Sequence, residues 1–234
     1  VPYFLKTAFK IFSFVFKKMY ERDVKKMDLI LTNSINTQKR IKKFLWLDSV
    51  VLYPPVNLDE FKYIETSDYY LSFARLSDAK RVDKIVEAFK QKPDKKLLVI
   101  YWENDPQKQK IFTIASWYNN INFKTLPWNR GFTDYVGKCI ATIYIPIDED
   151  FGMSPVESMS AWKPVLWVDD GWLKETIIDG KTWYLIPKEA NIEDIIDAIN
   201  KLTIESCIEM KEDCIERAKE FSLVQFEKKL KEYV

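Results

Sequence analysis

The sequence predicts an α/β protein built on a doubly wound parallel sheet. From residue 69 onward, short apolar runs alternate with amphipathic stretches of helical spacing, which is the pattern of strands joined by crossover helices. The predicted strands lie near 69–74, 96–101, 121–125, 141–146, 164–168 and 183–186. A shorter helix, strand, helix, strand series precedes them, and it predicts a partial second unit of the same type at the N-terminus.

The N-terminal series begins with one long helix over residues 3–27, followed by a strand at 28–32 and a helix over 33–44 with Ser34 as its cap. The long helix has an apolar stripe flanked by lysines, which would suit either a protein interface or an anionic membrane surface. The stripe is too short and too charged to span a bilayer. An interface helix whose partner is missing is the favoured interpretation, and contact with a membrane surface stays open. The residues of the stripe are Phe4, Leu5, Ala8, Ile11, Phe12, Val15, Phe16 and Met19, with Lys6, Lys10, Lys17 and Lys18 beside them.

The sequence also predicts helices after these strands. Apolar residues recur at helical spacing over 82–89, and a helix over 154–162 has Pro155 in its first turn. Three further helices are predicted over 192–202, 205–220 and 221–233.

Two carboxylates near the fourth strand form the first candidate site. Glu149 follows the apolar run 141–147, and Glu157 lies about one turn into the next helix. A loop after a strand and the first turn of a helix can direct two carboxylates, and free backbone N–H groups, at one hydroxyl-rich ligand. Since a chain with 35 acidic residues contains such pairs by chance, the spacing alone also fits two solvated carboxylates.

Two cations near the first strand of the sheet form the second candidate site. Arg75 and Lys80 follow the run 69–74, so they lie near the carboxyl end of a strand, where open α/β sheets bind ligands. A guanidinium and an ammonium there suit a diphosphate. The alternative is a pair of solvated cations at the start of a helix.

Several motifs in order resemble the donor-binding half of the retaining family 4 glycosyltransferases, which have the GT-B fold with Rossmann-like domains. The matching segments are FARLSDAKRVDKIVEAF, PIDEDFGMSPVESMSAWKPV and VDDGWLKETIIDGKTWYLIP, with TNS and YPPVN upstream. The resemblance runs from about Asp28 to the C-terminus. It implies transfer of a hexose from a nucleotide diphosphate sugar to a glycan or lipid-linked acceptor, with retention at the anomeric carbon.

The resemblance also assigns roles to individual residues. It implies that Arg75 and Lys80 hold the donor diphosphate, that Glu149 binds the hydroxyls of the transferred sugar, and that Glu157 binds the ribose. Backbone contacts to the sugar and phosphates are implied for Phe151, Gly152, Met153 and Ser154. No carboxylate need act as a nucleophile, in contrast to a glycosidase with two carboxylates.

The resemblance further predicts three regions of the chain. Residues 1–56 would be a remnant of the acceptor-side domain, 57–220 the donor-binding domain, and 221–234 a helix that returns toward the N-terminal part. The chain is therefore expected to be a fragment that is inactive alone. The alternative function is a catalytically inactive module that binds nucleotide sugar or docks on a partner.

Composition limits the classes of ligand and cofactor, and the cellular compartment, that we expect for this chain. A net charge of +1 gives no reason to expect nucleic acid, and the absence of His excludes a histidine base or ligand. No G-x-G-x-x-G fingerprint of a dinucleotide-dependent oxidoreductase occurs. We expect no metal and no cofactor, a UDP-, GDP- or ADP-linked sugar as donor, and a cytoplasmic location with possible peripheral contact at the inner face of a membrane. The unpaired spacing of Cys139, Cys207 and Cys214 fits that reducing compartment.

The glycine content is unusual. The chain has 5 Gly and 8 Trp, where average usage gives roughly 16 Gly. Trp162, Trp172 and Trp183 stand where the resembling family has Gly, and Trp46, Trp102, Trp117 and Trp128 lie at turn-like positions. We hypothesise that most or all of the eight Trp are glycines encoded by a reassigned UGA codon, since such sites often need positive φ or a close approach of the backbone. The alternative is that they are true tryptophans.

Overall fold

The structure is a computed structural model that describes residues 3–126, 131–171 and 173–233. Contacts divide the chain into two compact units, Val1–Leu52 and Tyr53–Val234. This division does not test the domain roles predicted for 1–56, 57–220 and 221–234, which stay predictions.

The first unit has the predicted order of helix, strand, helix and strand. Its elements are α1 (Tyr3–Val24), β1 (Leu31–Thr32), α2 (Ile35–Leu45) and β2 (Val50–Val51). The two short strands pair in parallel. As predicted, Ser34 caps α2, because its side chain accepts a hydrogen bond from the Thr37 backbone N–H. The strand predicted over 28–32 is confined to its last two residues.

The second unit is a six-stranded, fully parallel sheet. Its strands are β3 (Tyr69–Ser72), β4 (Lys96–Tyr101), β5 (Ile121–Thr125), β6 (Thr142–Tyr144), β7 (Val165–Val168) and β8 (Trp183–Ile186). They lie in the order β5-β4-β3-β6-β7-β8. This doubly wound order confirms the predicted fold class, and it places the topological switch point between β3 and β6.

The helices of this unit alternate with its strands. They are α3 (Val82–Lys90), α4 (Lys108–Ala115), α5 (Phe132–Lys138), α6 (Ser154–Ser160), α7 (Leu173–Thr176), α8 (Ile192–Lys201), α9 (Ile204–Glu209), α10 (Lys211–Lys219) and α11 (Leu223–Leu230). Short 3₁₀ turns occur at Leu58–Glu60 and Asp78–Lys80. In the described part of the chain, no helix is both long enough and apolar enough to cross a bilayer.

Apolar side chains cover both faces of the sheet. Alternate residues of β3 belong to different hydrophobic clusters: Tyr70 packs with α3 residues such as Phe89, whereas Leu71 packs with Val136 of α5. All four residues of β7 are buried. A strand buried on both sides has no polar face, which explains the continuous apolar runs in the sequence.

The prediction of one continuous helix over 205–220 was wrong, because the structure has two helices there. The chain turns at Met210, with φ −79° and ψ −6°, so that α9 ends and α10 begins there. The turn keeps Met210 in the core together with Cys207 and Cys214. Buried residues on both sides of the turn maintain a nearly continuous helical pattern in the sequence, so periodicity did not reveal the break.

The predicted positive φ is found at two of the tryptophans. Trp46 has φ 60° and Trp162 has φ 62°, in the left-handed region that favours glycine. Trp102, Trp117 and Trp183 do not have positive φ, so backbone conformation does not favour glycine at these three positions. Trp102 still lies in a turn closed by the Asp105 side chain. Trp128 and Trp172 lie outside the described residues.

Candidate functional site

The candidate site lies at the carboxyl ends of β3 and β6. The segment after β3 forms the 3₁₀ turn Asp78–Lys80 before α3, and the segment after β6 leads through Glu149 into α6. The two segments are joined by the backbone, since the Ile147 N–H donates to the Ala79 carbonyl at 2.8 Å. Because the strand order reverses at this point, the helices diverge and leave room for a ligand.

Lys80 and Glu149, predicted from separate motifs, form an ion pair through Glu149 Oε2. Tyr144, at the end of β6, joins them: its hydroxyl donates to Glu149 Oε2 at 2.7 Å and accepts from Lys80 Nζ at 2.7 Å. The Lys80 and Glu149 side chains keep 23% and 15% of their surface exposed. A ligand at the rim can therefore reach both charges.

Two glycines permit the close packing around Glu149. A Cβ on Gly152 would lie 3.2 Å from Tyr144 Cε1 and 3.3 Å from Glu149 Cγ. Gly171 has φ +62°, and a Cβ there would lie 2.7 Å from the Glu149 carbonyl oxygen. Any side chain at either position would displace the carboxylate or the loop that carries it.

Arg81 fixes the end of β6 from the other side. Its buried guanidinium donates to the carbonyl oxygens of Ile145 at 2.6 Å, Lys188 at 2.9 Å and Pro146 at 3.3 Å. The residue has φ 51°, so these bonds hold a left-handed backbone conformation next to Lys80. Arg81 thus connects the turn after β3 with the segments after β6 and β8.

Glu157, in the first turn of α6, is a partly buried carboxyl. Burial, together with the nearby charge of Glu60, raises its pKa to about 7. In the described part of the chain its carboxylate makes no hydrogen bond or ion pair. Burial, then the charge of Glu149 and last that of Glu157, raise the pKa of the Tyr144 hydroxyl. Of the two predicted carboxylates, Glu149 is the one hydrogen-bonded to this phenol.

Arg75 does not join the cluster of Lys80, Tyr144 and Glu149. Its side chain is 67% exposed, and its Nε lies 3.4 Å from Oδ1 of the buried Asp105. The guanidinium therefore stands at the rim of the site, where it can turn toward a ligand with little loss of packing.

The backbone between Glu149 and α6 presents donors to the same region. Among the described residues, the N–H groups of Gly152, Met153 and Ser154 donate to no acceptor. The Phe151 side chain packs against the core. Helix α6 begins at Ser154 without a side-chain cap and has Pro155 in its first turn. The roles predicted for Phe151 through Ser154 remain predictions.

Sequence analysis missed Tyr144 and Arg81. Tyr144 lies in an apolar run, where an aromatic residue indicates core packing, and the only signal was its position five residues before Glu149. Arg81 directly follows Lys80 and resembled one more solvated cation. The contacts that distinguish both residues come from distant segments, so spacing could not reveal them.

The described residues contain no cluster of three or more His, Cys, Asp or Glu side chains that could hold a metal ion. Cys139, Cys207 and Cys214 are buried free thiols. Burial raises the pKa of Cys139 and that of Cys207 to about 12, so neither is a ready thiolate.

A family model described as "Glycosyl transferases group 1" matches residues 57–221. This chain belongs to the group 1 glycosyltransferases. The family match confirms the resemblance found in the motifs, and it covers the switch point together with all the predicted site residues.

Individual relatives agree with the family. The chain is 44% identical over 64 residues to the alpha-1,3/1,6-mannosyltransferase ALG2 of Dictyostelium discoideum, which covers 27% of this chain and 15% of the relative. Sucrose-phosphate synthase from Thermosynechococcus elongatus superposes with a TM-score of 0.80 at 17% identity, over 92% of this chain and 59% of that one. Anabaena Alr3699/HepE, in complex with UDP and glucose, has a TM-score of 0.72 at 17% identity, over 88% of this chain and 62% of that one.

The chain thus spans less than two thirds of each of these proteins. The structural matches, at 17% identity, establish the fold.

Proposed function

We propose that this chain supplies the donor-binding part of a retaining hexosyltransferase that uses a nucleotide diphosphate sugar and a glycan or lipid-linked acceptor. The observation that carries the proposal is the joining of Lys80 and Glu149 at the switch point, because one suits a diphosphate and the other suits sugar hydroxyls. The relative ALG2 is named a mannosyltransferase, which favours mannose as the transferred sugar.

Each group then has a chemical task. Lys80 and the rim residue Arg75 neutralise the diphosphate, which is the leaving group, and unpaired N–H groups at Gly152 to Ser154 add hydrogen bonds to it. Glu149 accepts hydroxyls of the hexose, and Glu157 accepts hydroxyls of the ribose. Retention needs no carboxylate nucleophile here, and the cations perform the charge stabilisation that a metal ion gives in other transferases.

Donor binding must rearrange the ion pair between Lys80 and Glu149. A diphosphate carries more negative charge than one carboxylate, so it competes for the ammonium. Glu149 is then released from Lys80 and becomes available to the sugar. Binding of the diphosphate and binding of the hexose are therefore coupled in this site.

The alternative is a module that holds a nucleotide sugar, or docks on a partner, without transferring the sugar. The two functions share the donor site and differ in turnover. A thermal-shift panel of UDP, GDP, ADP and their hexose conjugates tests the shared part. Stabilisation by the diphosphate of one base and by its hexose conjugate supports the donor site, whereas no response from the folded chain contradicts it.

Helix α1 supports peripheral contact with an anionic membrane at the cytoplasmic face. Its apolar residues are largely exposed, among them Phe9 at 69% and Phe12 at 67%. Lys6, Lys10 and Lys17 fall together on the opposite face of the helix. This arrangement suits a helix lying in the headgroup region.

Sedimentation with vesicles tests the membrane contact. Binding to vesicles that contain phosphatidylserine, reduced by Lys6→Glu/Lys10→Glu and by Phe12→Asp, is expected. Equal binding to neutral vesicles by all variants, or none by the wild type, would favour the protein interface.

A further inference from the structure

The Tyr144 hydroxyl bonds to both charged groups of the site, Lys80 and Glu149, and the proposed donor contacts do not explain this arrangement. The residue is 7% exposed, so its hydroxyl lies behind Glu149 rather than at the rim. One carboxylate oxygen, Glu149 Oε2, is shared between Lys80 and the Tyr144 hydroxyl. Contact with ligand is left to the other carboxylate oxygen.

The tyrosine ring is held firmly by its neighbours. It packs against Trp167 of β7 with ring centroids 5.3 Å apart. Gly152 leaves the space in which the ring and the Glu149 side chain meet. The adjoining Ile145 carbonyl is bound by Arg81. Because the hydroxyl oxygen accepts a hydrogen bond from Lys80, its hydrogen is donated to Glu149.

The hydroxyl also stays protonated. Burial, and then the charge of Glu149, raise the pKa of Tyr144 far above its usual range. Lys80 Nζ, in contrast, rotates on a flexible stem and is attracted by any polyanion at the rim. Of the two partners of Glu149 Oε2, only Tyr144 remains when the ammonium moves.

We propose that Tyr144 is a positioning residue that holds Glu149 for the hexose after Lys80 has moved to the diphosphate. The inference rests on the proposed function. Without the phenol, the carboxylate loses both of its partners when the diphosphate binds, and it turns into solvent instead of facing the sugar. Tyr144 therefore governs affinity for the sugar part of the donor and leaves affinity for the bare diphosphate unchanged.

The test is calorimetry of Tyr144→Phe with UDP, GDP and ADP and with their hexose conjugates. For the base that binds, we expect the diphosphate to retain its affinity within two-fold and the sugar conjugate to bind roughly ten-fold more weakly. Glu149→Gln/Tyr144→Phe should lose no more than Glu149→Gln alone. Tyr69→Phe is the matched control, because its hydroxyl donates to the Tyr135 carbonyl, at 2.9 Å, instead of to a site residue.

Equal weakening of diphosphate and sugar conjugate, or additive losses in the double variant, would overturn the role of Tyr144 while the proposed function stands. A wild type that binds neither ligand overturns both. If Tyr144→Phe does not fold, Lys80→Met gives a second test: its diphosphate affinity should fall while the extra affinity for the hexose persists. Loss of that extra affinity would contradict the proposal.

Discussion

The two ends of the six-stranded sheet each contain a lysine whose ammonium is hydrogen-bonded, but they use it differently. At the amino end, Lys163 is 1% exposed and donates to the Glu65 carbonyl at 2.7 Å, beneath the Tyr63 ring. At the carboxyl end, Lys80 pairs with a carboxylate at the rim and keeps 23% of its side-chain surface exposed.

The difference separates a structural cation from a binding cation. Lys163 is almost fully buried, and this burial lowers its pKa. Its partner is a backbone carbonyl, which a ligand cannot replace. At the carboxyl end, an anionic ligand can replace Glu149 as the partner of Lys80, while the Tyr144 hydroxyl stays hydrogen-bonded to Glu149. A hydrogen-bonded lysine at an end of the sheet is thus functional when its partner is a displaceable carboxylate, and structural when its partner is a backbone carbonyl.

The largest effect on stability is expected at the amino end. Lys163→Ala should lower the free energy of unfolding by about 2–4 kcal/mol, since it leaves a cavity and an unpaired carbonyl. Lys80→Ala should lower it by about 1 kcal/mol or less, because a rim ion pair contributes little. Urea unfolding of both variants measures the difference, and equal losses would abolish the distinction between the two ends.

The next effect concerns ligand affinity at the carboxyl end. Glu157→Ala should weaken nucleotide binding by about 1.5–3 kcal/mol through loss of charge-assisted bonds to the ribose. Arg75→Ala should weaken the binding of diphosphates and leave the binding of nucleosides unchanged. Calorimetry with a nucleoside and its diphosphate distinguishes them, and Glu87→Ala, on an exposed face of α3, is the control. A loss of the same size in the control would point to general destabilisation.

Each end of the sheet also has a residue with left-handed backbone conformation, Arg81 at the carboxyl end and Trp162 at the amino end. Glycine substitutions at these two residues should have smaller and different effects on stability. Arg81→Gly relieves strain but removes buried hydrogen bonds, so a net loss of about 1–2 kcal/mol in unfolding free energy is expected. Trp162→Gly relieves similar strain but loses the stacking on Tyr63, with ring centroids 4.9 Å apart, and the contact of Lys211 Nζ 3.5 Å over its ring. These opposed effects should leave a change within about 1 kcal/mol.

Arg81→Ala, which keeps the strain, should cost about 1 kcal/mol more than Arg81→Gly. If the two variants at Arg81 are equally stable in urea unfolding, the left-handed conformation is not strained.

A last effect is a pH dependence caused by Glu157. Its pKa is about 7 in the folded chain and near the ordinary value when unfolded, so between those values the native state binds more protons. The free energy of unfolding should therefore fall by about 2 kcal/mol as pH rises from about 5 to 7, and level off near pH 8.

In the matched variant Glu157→Gln, the free energy of unfolding should lack this pH-dependent decrease. Unfolding at several pH values compares it with the wild type, and identical slopes would show that another group titrates.

Much of the fold was predictable because the buried parallel strands of the second unit are continuous apolar runs. Lys80 and Glu149 were predictable for a similar reason, since each follows such a run and the ends of parallel strands converge. The geometry of contact was not predictable. Tyr144 binds Glu149 only because Gly152 and Gly171 let the loop fold back, and Arg81 binds carbonyls contributed by segments more than sixty residues away.

The most direct test of the central claim is calorimetric titration of the wild type, Lys80→Ala and Lys163→Met with the nucleotide diphosphate that the thermal-shift panel selects. Lys80→Ala should remain folded and bind the diphosphate at least ten-fold more weakly, whereas the folded fraction of Lys163→Met should bind like the wild type. Undiminished binding by Lys80→Ala would contradict a diphosphate site at the switch point.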